Sequence, residues 1–248
     1  MSYDYVEESK KIKEIVNSPV EIQSIPNISN SPENITTFNN GVRSWIASIF
    51  VDIVDSSTLF KNQRISDKVK ARILRCFCDG LIKIFNDNDK SPIDVGIRGD
   101  AVFAVYNTPL QEDVVNVFRI AYMANTFMKM LNKILEQKQW PTIKAGIGLS
   151  CSEDLIIKAG VKRQYSDYIW IGSALLEADK LSKIANRKGN DPIAMSSMFF
   201  SNIIDSLTKE EKAYQQWIRR TNSYEFDSYF YQCNIINTDF NSWVDKYL

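Results

Sequence analysis

The sequence predicts an α/β domain built on a β-α-β-β-α-β unit, the ferredoxin-like or split βαβ plan, with further strands and helices appended. Three observations predict it. Strand-like runs at about 43–53, 94–106 and 143–149 are separated by two long amphipathic stretches. A Gly-Asp pair divides the middle run into two short strands. The chain has 248 residues, 44% of them hydrophobic, which suits one core rather than two large domains.

The two ends of the chain are predicted to lie outside the central domain. Residues 1–40 are expected to form a short amphipathic helix and a linker, because residues 24–41 are rich in Asn, Ser and Pro. The central domain is expected over 41–204. Residues 205–248 are a C-terminal extension, packed on that domain, with a helical stretch and several aromatic side chains.

The first strand of the core is predicted to be central in its sheet. Residues 45–51 are apolar at every position but one, as in a strand covered on both faces, and the run ends at Asp52. A long helix follows over 66–86, where apolar residues recur three and four apart and Ser66 is a suitable N-cap.

The second half of the core repeats this pattern. The short strands 94–98 and 101–106 are separated by two residues, Gly and Asp, which predicts a tight hairpin. A second amphipathic helix is expected over 112–136, and a strand over 143–149. Residues 155–160 are the predicted hairpin partner of that last strand.

Composition excludes several classes of function. The chain has no histidine, which removes Ser-His-Asp and Cys-His nucleophiles and His-based zinc sites. The chain has 30 Lys and Arg residues and 30 Asp and Glu residues, so it has no net charge that would attract it to nucleic acid or to an anionic membrane. No apolar run spans a bilayer and the N-terminus lacks a secretory pattern, so a cytoplasmic protein is expected. Carboxylates, Lys, Arg and oxygen-bound metals remain for the chemistry.

Two acidic residues are placed where the predicted strands meet. Asp52 ends the first strand, and Asp100 lies in the hairpin that pairs with it. Two carboxylates held close together repel each other unless a cation lies between them, so such a pair favours a divalent-metal site. The alternative is that Asp52 merely ends its strand and Asp100 merely suits its turn.

Four motifs resemble those of one enzyme family, in order and spacing. Residues 50–58 (FVDIVDSST) and 96–105 (GIRGDAVFAV) resemble the two metal motifs of class III nucleotidyl cyclases. Residues 143–148 (IKAGIG) and 171–181 (IGSALLEADKL) are similar to the family's (I/V)-R-x-G-I strand and its W-G-x-x-V-N-x-A-x-R helix. The resemblance covers roughly residues 43–200 and implies the class III cyclase fold, working as a homodimer.

The resemblance implies a two-metal site. Asp52 and Asp100 would bind two Mn²⁺ or Mg²⁺ ions, with the backbone carbonyl of Ile53 completing one shell. The amides of Ser56 and Ser57, in the turn that follows, would hold phosphate oxygens. No imidazole is needed for this chemistry.

The resemblance also implies that each active site is shared between two subunits. The family's transition-state Asn and Arg lie on a helix that the partner subunit contributes, and the aligned residues here are Leu176 and Lys180. Lys180 keeps a positive charge for the phosphate, but Leu176 cannot position a ribose. A one-residue shift would instead align Glu177.

The substrate base is predicted to be a pyrimidine. Purine cyclases read the base with polar groups where this chain has Gly96 and Ile169. This pattern is similar to the Pycsar pyrimidine cyclases of bacterial antiphage defence, which implies UTP or CTP as substrate and cUMP or cCMP as product. Phe50, beside the metal motif, is the predicted base-stacking residue, and Arg98 is counted among the substrate contacts.

Other interpretations stay open at this point. A degenerate cyclase domain that only binds nucleotide, a purine cyclase, or another palm-type nucleotidyltransferase would share much of this pattern. Arg187 and Lys188 are expected to form a solvated basic loop, with contact to the triphosphate as the alternative.

Overall fold

The computed structural model describes residues 3–28, 36–87, 90–161, 165–207, 211–224, 226 and 228–248. The helices are α1 Tyr5–Asn17, α2 Ser56–Lys61, α3 Asp67–Asn86, α4 Gln111–Gln137, α5 Ala174–Ile184, α6 Ser197–Ile204 and α7 Thr238–Tyr247, with a 3₁₀ helix over Glu211–Trp217. The strands are β1 Glu21–Ser24, β2 Asn40–Ile53, β3 Asp94–Arg98, β4 Ala101–Asn107, β5 Ala145–Gly160, β6 Ser166–Ile171, β7 Ile193–Met195, β8 Arg219–Ser223 and β9 Ser228–Cys233.

The predicted β-α-β-β-α-β unit is present as β2-α3-β3-β4-α4-β5. These strands belong to one sheet with the order β3-β4-β2-β5-β7-β9-β8, in which β2 is antiparallel to both β4 and β5. β1 pairs in parallel with the start of β2, and β6 pairs with the end of β5. The fold class predicted from periodicity is therefore confirmed.

One face of the sheet carries the larger hydrophobic core. The two long helices α3 and α4 pack there, each through one apolar stripe, as their amphipathic spacing predicts. The buried aromatic side chains Phe77, Phe85, Phe118 and Phe127 lie in this core with the side chains of Ile49 and Val51 from β2. Burial on both faces explains why β2 is apolar along most of its length.

The other face of the sheet is covered by helix α5. Gly146 and Gly148 of β5 lie directly beneath it, so close that a Cβ added at Gly148 would be 2.0 Å from the carbonyl oxygen of Ala178. A Cβ added at Gly146 would be 2.1 Å from the carbonyl oxygen of Ser182. The two glycines let the helix backbone approach the strand closely, beside Asp52, which pairs with Gly146.

Two predictions about the chain's course need correction, and part of a third lies outside the described residues. The strand predicted over 143–149 continues to Gly160, so its hairpin partner is β6 rather than residues 155–160. The helical stretch predicted after residue 205 contains a 3₁₀ helix over Glu211–Trp217. It is followed by β8 and by β9, which carries aromatic side chains, and both strands extend the same sheet. In the predicted linker, residues 29–35 lie outside the described part of the chain.

Candidate active site

Asp52 and Asp100 are brought together by the hairpin, as predicted. Asp52 pairs with Ala101, the residue directly after Asp100. Gly99 has a φ of 64° and opens the two-residue turn, a left-handed conformation that glycine adopts without strain. Asp100 is close enough for its negative charge to raise the pKa of Asp52. The two carboxylates thus meet at the end of β2.

Asp52 is a buried acid with an opposing cation. Its residue is only 8% exposed, and burial is the main cause that raises the pKa of its carboxyl above the ordinary value. A hydrogen bond from Arg187 lowers that pKa, as do the positive charges of Arg187 and Lys183. The site therefore holds a carboxylate that has lost most of its water and is stabilised by positive charge.

Arg187 lies at the site, although the sequence favoured a solvated loop there and kept contact to the triphosphate only as the alternative. Its Nη2 donates to Asp52 Oδ2 at 2.7 Å and to the carbonyl oxygen of Ile53 at 3.2 Å. Its Nη1 donates to the carbonyl oxygens of Ser182 at 2.8 Å and Ala185 at 3.3 Å. The expectation of a solvated basic loop at Arg187 was wrong, because the loop after α5 folds this side chain back onto β2.

The loop that places Arg187 has an unusual backbone. Asn186, Lys188 and Gly189 have φ values of 56°, 52° and 84°. A Gly shortly after a helix is a signal for such a left-handed turn, and Asn tolerates it as well. That signal was available in the sequence, but it does not indicate where the guanidinium points.

The donor atoms fit a hard divalent cation. Asp52, Asp100 and the Ile53 carbonyl offer only oxygen, which is what Mg²⁺ and Mn²⁺ prefer. The Arg187 guanidinium already lies on two of these oxygens, which shows that the arrangement attracts positive charge. Among the residues that the structure describes, no cluster of three or more His, Cys, Asp or Glu side chains could hold a metal. Phosphate and water oxygens would have to complete the shell.

The turn after β2 leaves backbone amides without a side-chain cap. Asp55 precedes the short helix α2 with a φ of 53°, and its carboxylate makes no capping hydrogen bond. Ser56 and Ser57 form the first turn of α2. A cleft of about 420 Å³ lies beside this turn, with Asp55 and Lys144 in its lining. Phosphate contact by the two serines stays a prediction.

A second cleft, of about 290 Å³, contains Ile169 of the residues predicted beside the base, whereas Phe50 and Gly96 do not line it; we call it the base-side cleft. Arg98, Ile169 and Leu176 line it, with Tyr168 and Trp170 of β6. The indole Nε1 of Trp170 in turn donates to Asp94 Oδ2 at 3.2 Å, and burial raises the pKa of that carboxyl. The cleft thus lies between the tip of β3, the strand β6 and the start of α5.

The structure corrects the role expected of Phe50 and gives a packing reason for the glycine at position 96. Phe50 is 1% exposed and its ring stacks on Phe103 with centroids 5.0 Å apart, beneath Leu175 of α5. No face of the Phe50 ring is open to a base in this conformation. At Gly96 an added Cβ would lie 2.4 Å from the Phe103 ring, so Phe103 fills the space where a purine-reading side chain would start.

The orientation of α5 shows where Leu176, Glu177 and Lys180 lie. Glu177 turns toward the sheet and accepts a hydrogen bond from Ser150 Oγ at 2.7 Å. Leu176 and Lys180, one turn apart, are exposed on the outer surface of the helix. Leu176 therefore occupies the outward position and Glu177 the inward one, and alignment of Leu176 with the family's Asn stays a prediction. Lys180 is not among the charges that act on Asp52 of its own chain.

A buried acid holds the start of α5 in place. Asp154 of β5 is fully buried and accepts a hydrogen bond from Ser152 Oγ. Burial raises the pKa of its carboxyl, whereas the backbone amides of Ser173 and Ala174, in the first turn of the helix, lower that pKa. Its Oδ2 has no hydrogen-bond partner among the described residues. Asp154 thus caps, from the neighbouring strand, a helix that Ser173 does not cap.

Comparison with known proteins identifies close relatives by sequence. A uridylate cyclase of Treponema porcinum is 34% identical over 249 residues, which span 99% of this chain and 82% of that protein. A uridylate cyclase of Gulbenkiania mobilis is 28% identical over 258 residues, spanning 99% of this chain and 97% of that protein. No protein-family model matches the chain.

Solved structures show the same fold at low identity. The adenylyl cyclase CyaB from P. aeruginosa superposes with a TM-score of 0.65 and 17% identity, over 80% of this chain and 98% of that one. At this identity the likeness concerns the fold alone. No helix in the described part of the chain is long and apolar enough to cross a membrane.

Proposed function

This chain belongs to the uridylate cyclase family of nucleotidyl cyclases, and on that basis we propose that it converts UTP to 3′,5′-cyclic UMP and pyrophosphate. The observation that carries the proposal is the paired arrangement of Asp52 and Asp100 at the end of β2, beside the Ile53 carbonyl. CTP is the second candidate substrate.

The reaction needs charge stabilisation rather than a protein nucleophile. The ribose 3′-oxygen loses its proton and attacks the α-phosphorus, the bond from that phosphorus to the β-bridging oxygen breaks, and pyrophosphate leaves. Two Mn²⁺ or Mg²⁺ ions, when bound, lower the pKa of the 3′-hydroxyl and neutralise the leaving group. Asp52, Asp100 and the Ile53 carbonyl would hold these ions, and the amides of Ser56 and Ser57 would hold phosphate oxygens.

We propose that the active site is shared between two copies of this chain. Asp52 lies at the end of β2, whereas Lys180 points outward from α5 beside the cleft of Arg98 and Ile169. None of the candidate metal ligands Asp52, Ile53 and Asp100 lines that cleft in the same chain. Exposed apolar side chains next to the cleft, Ile169 at 45% and Leu176 at 55%, support a second copy as the covering partner.

The lining of the base-side cleft supports a pyrimidine as the base of the substrate. Phe103 blocks a side chain at position 96, and Ile169 offers no polar reader, so the groups expected for a purine are missing. Arg98 lines the cleft, with its guanidinium 5.3 Å from the Phe103 ring centroid. We propose that Arg98 contacts the substrate at this end, which would offer donors to the carbonyl oxygens of uracil.

The product would serve as a second messenger in the cytoplasm, in defence against phage. The resemblance of the motifs to Pycsar cyclases supports this role, and the uridylate cyclase relatives agree with it in substrate. An increase in cyclic UMP in cells that carry this chain after phage infection would test the role directly. An unchanged level, with active enzyme present, would contradict it.

The shared site is tested by mixing two inactive proteins. Asp52→Ala removes a metal ligand and Lys180→Ala removes the outward cation, and each alone should abolish cyclic UMP formation by the purified dimer. Mixed dimers contain one site in which both residues are intact, so activity should return to about one quarter of wild type on statistical pairing. Absence of any return, with exchange of subunits verified, would contradict the shared site.

A second candidate function follows from Leu176. In that outward position a leucine cannot hydrogen-bond a ribose hydroxyl, which favours a chain that binds nucleotide without cyclising it. This candidate predicts metal-dependent binding of UTP with no release of pyrophosphate. Measurement of pyrophosphate alongside binding therefore distinguishes the two.

A further inference from the structure

Arg187 links the candidate metal site to the end of helix α5. Nη2 of its guanidinium lies between two oxygens of the site, Asp52 Oδ2 and the Ile53 carbonyl. Nη1 bonds the carbonyl oxygens of Ser182 and Ala185 at the C-terminal end of α5. The side chain is largely shielded from water, with 22% of its surface exposed. One guanidinium therefore satisfies groups on both elements.

The position of Nη2 conflicts with that of a metal ion. Mg²⁺ binds oxygen ligands at about 2.1 Å. A cation on both Asp52 Oδ2 and the Ile53 carbonyl, on the side that Nη2 occupies, would lie within contact distance of that nitrogen. Two positive charges at such a separation, beside a carboxylate that is only 8% exposed, repel each other strongly. The guanidinium and the metal cannot share these two oxygens.

We propose that Arg187 is a resident counter-cation, which holds Asp52 and the Ile53 carbonyl while the site lacks metal and which the catalytic metal displaces when it binds. The proposal rests on the proposed function insofar as the metal is placed on Asp52. It makes Arg187 a positioning residue rather than a catalytic one. Displacement also releases the carbonyl oxygens of Ser182 and Ala185, at the end of the helix that carries Lys180.

Lys183 provides a matched control for this proposal. Its charge lowers the pKa of Asp52, as that of Arg187 does, but its ammonium is bound to Asp179 Oδ2 at 2.7 Å. Lys183→Ala therefore removes a nearby positive charge without removing a group from the metal ligands. Comparison of Arg187→Ala with Lys183→Ala therefore separates two effects: the occupation of the metal-binding oxygens by a guanidinium, and the general effect of a nearby positive charge.

The experiment is a Mn²⁺ titration of the full-length protein without nucleotide, followed by electron paramagnetic resonance of free Mn²⁺. Arg187→Ala should bind Mn²⁺ at least fivefold more tightly than wild type, and Arg187→Gln should do the same if the alanine variant folds poorly. Lys183→Ala should change the affinity by less than twofold. Asp52→Asn should abolish Mn²⁺ binding at this site, both in the wild-type protein and in the Arg187→Ala variant.

A second readout is thermal stability with and without Mn²⁺. Arg187→Gln should lower the melting temperature of the metal-free protein, because Asp52 then lacks its partner, and saturating Mn²⁺ should remove most of that difference. Equal or weaker Mn²⁺ affinity in folded Arg187 variants would overturn the proposal, as would an equal gain in Lys183→Ala. Failure of the proposed function would give a different result. The wild-type protein would then form no cyclic nucleotide, although the wild type and the Arg187 variants would still differ in their affinity for Mn²⁺.

Discussion

Gly148→Ala is expected to force helix α5 away from the sheet. The added Cβ would lie 2.0 Å from the carbonyl oxygen of Ala178 and 2.4 Å from the backbone nitrogen of Ser182. Carbon and carbonyl oxygen approach to about 3.4 Å in ordinary contact, so the helix backbone must move by about 1.4 Å. Both obstructing atoms belong to the backbone, so no side-chain rotation relieves the contact.

The cost of this movement follows from two opposing contributions. Overpacking a core costs about 1–3 kcal/mol, and the replacement of glycine within a strand returns about 0.5–1 kcal/mol. The difference between these contributions lies between about 0 and 2.5 kcal/mol and centres near 1 kcal/mol, which corresponds to a fall in melting temperature of roughly 2–4 °C for a chain of this size. Lys180 and Arg187 move with the helix, and a misplacement of about 1 Å in an active site costs about 10²-fold in rate.

Urea unfolding and the rate of cyclic UMP formation measure the two effects, with Gly41→Ala as the control. The Cβ added at Gly41 of β2 would meet the side-chain atoms Leu155 Cδ1 at 2.9 Å and Ile157 Cγ2 at 3.2 Å, which can move. Gly41→Ala should therefore change stability and rate little. If Gly148→Ala is as stable and as active as Gly41→Ala, the close packing of the α5 backbone on the sheet is wrong.

Three further changes test the surroundings of the site. Gly96→Ala should destabilise the fold because the new Cβ meets the Phe103 ring, and Phe103→Leu should relieve that contact. A double-mutant cycle measured by urea unfolding should therefore show a coupling energy above about 0.5 kcal/mol. Additive effects of the two substitutions would contradict the packing. The raised pKa of Asp94 means that its ionised form opposes folding. The penalty is absent well below the ordinary value of 3.8, grows as pH rises from that value to the folded pKa, and stays constant above it. Asp94→Asn should therefore raise the melting temperature at pH 7 and not at pH 3.5; an equal shift at both values would refute the assignment. Asp154→Ala should lower the free energy of unfolding by about 1–3 kcal/mol, because the first-turn amides of α5 lose their buried acceptor. Asp154→Asn keeps an acceptor oxygen and should lower it less. Equal losses in the two variants would contradict the capping role.

The core of the fold could be predicted because its signals are local. Alternation and helical periodicity identify β2, α3, the hairpin and α4, and the Gly-Asp turn places Asp100 beside the end of β2. The length of β5 was underestimated because its second half continues past the region that α5 covers. Periodicity over 143–149 indicates where burial on the sheet begins, but it does not indicate where the strand ends.

The site could be predicted only in part, because the missing contacts join residues far apart in the chain. Asp52 and Arg187 are separated by 135 positions, and nothing local to Arg187 predicts that its side chain turns inward. Gly96 suggested an absent reader, but only the packing of Phe103 shows that the space is filled. Contacts of this kind depend on how α5 and the sheet meet.

The most direct test of the central claim is the product formed from each nucleoside triphosphate. The purified protein is incubated with ATP, GTP, CTP and UTP separately in the presence of Mn²⁺, and the products are identified by mass and compared with those of Asp52→Asn. We expect cyclic UMP and pyrophosphate from UTP, little product from ATP or GTP, and none from Asp52→Asn. A preference for ATP or GTP would contradict the assignment of the base-side cleft, and no cyclic nucleotide from any of the four would contradict the proposed function.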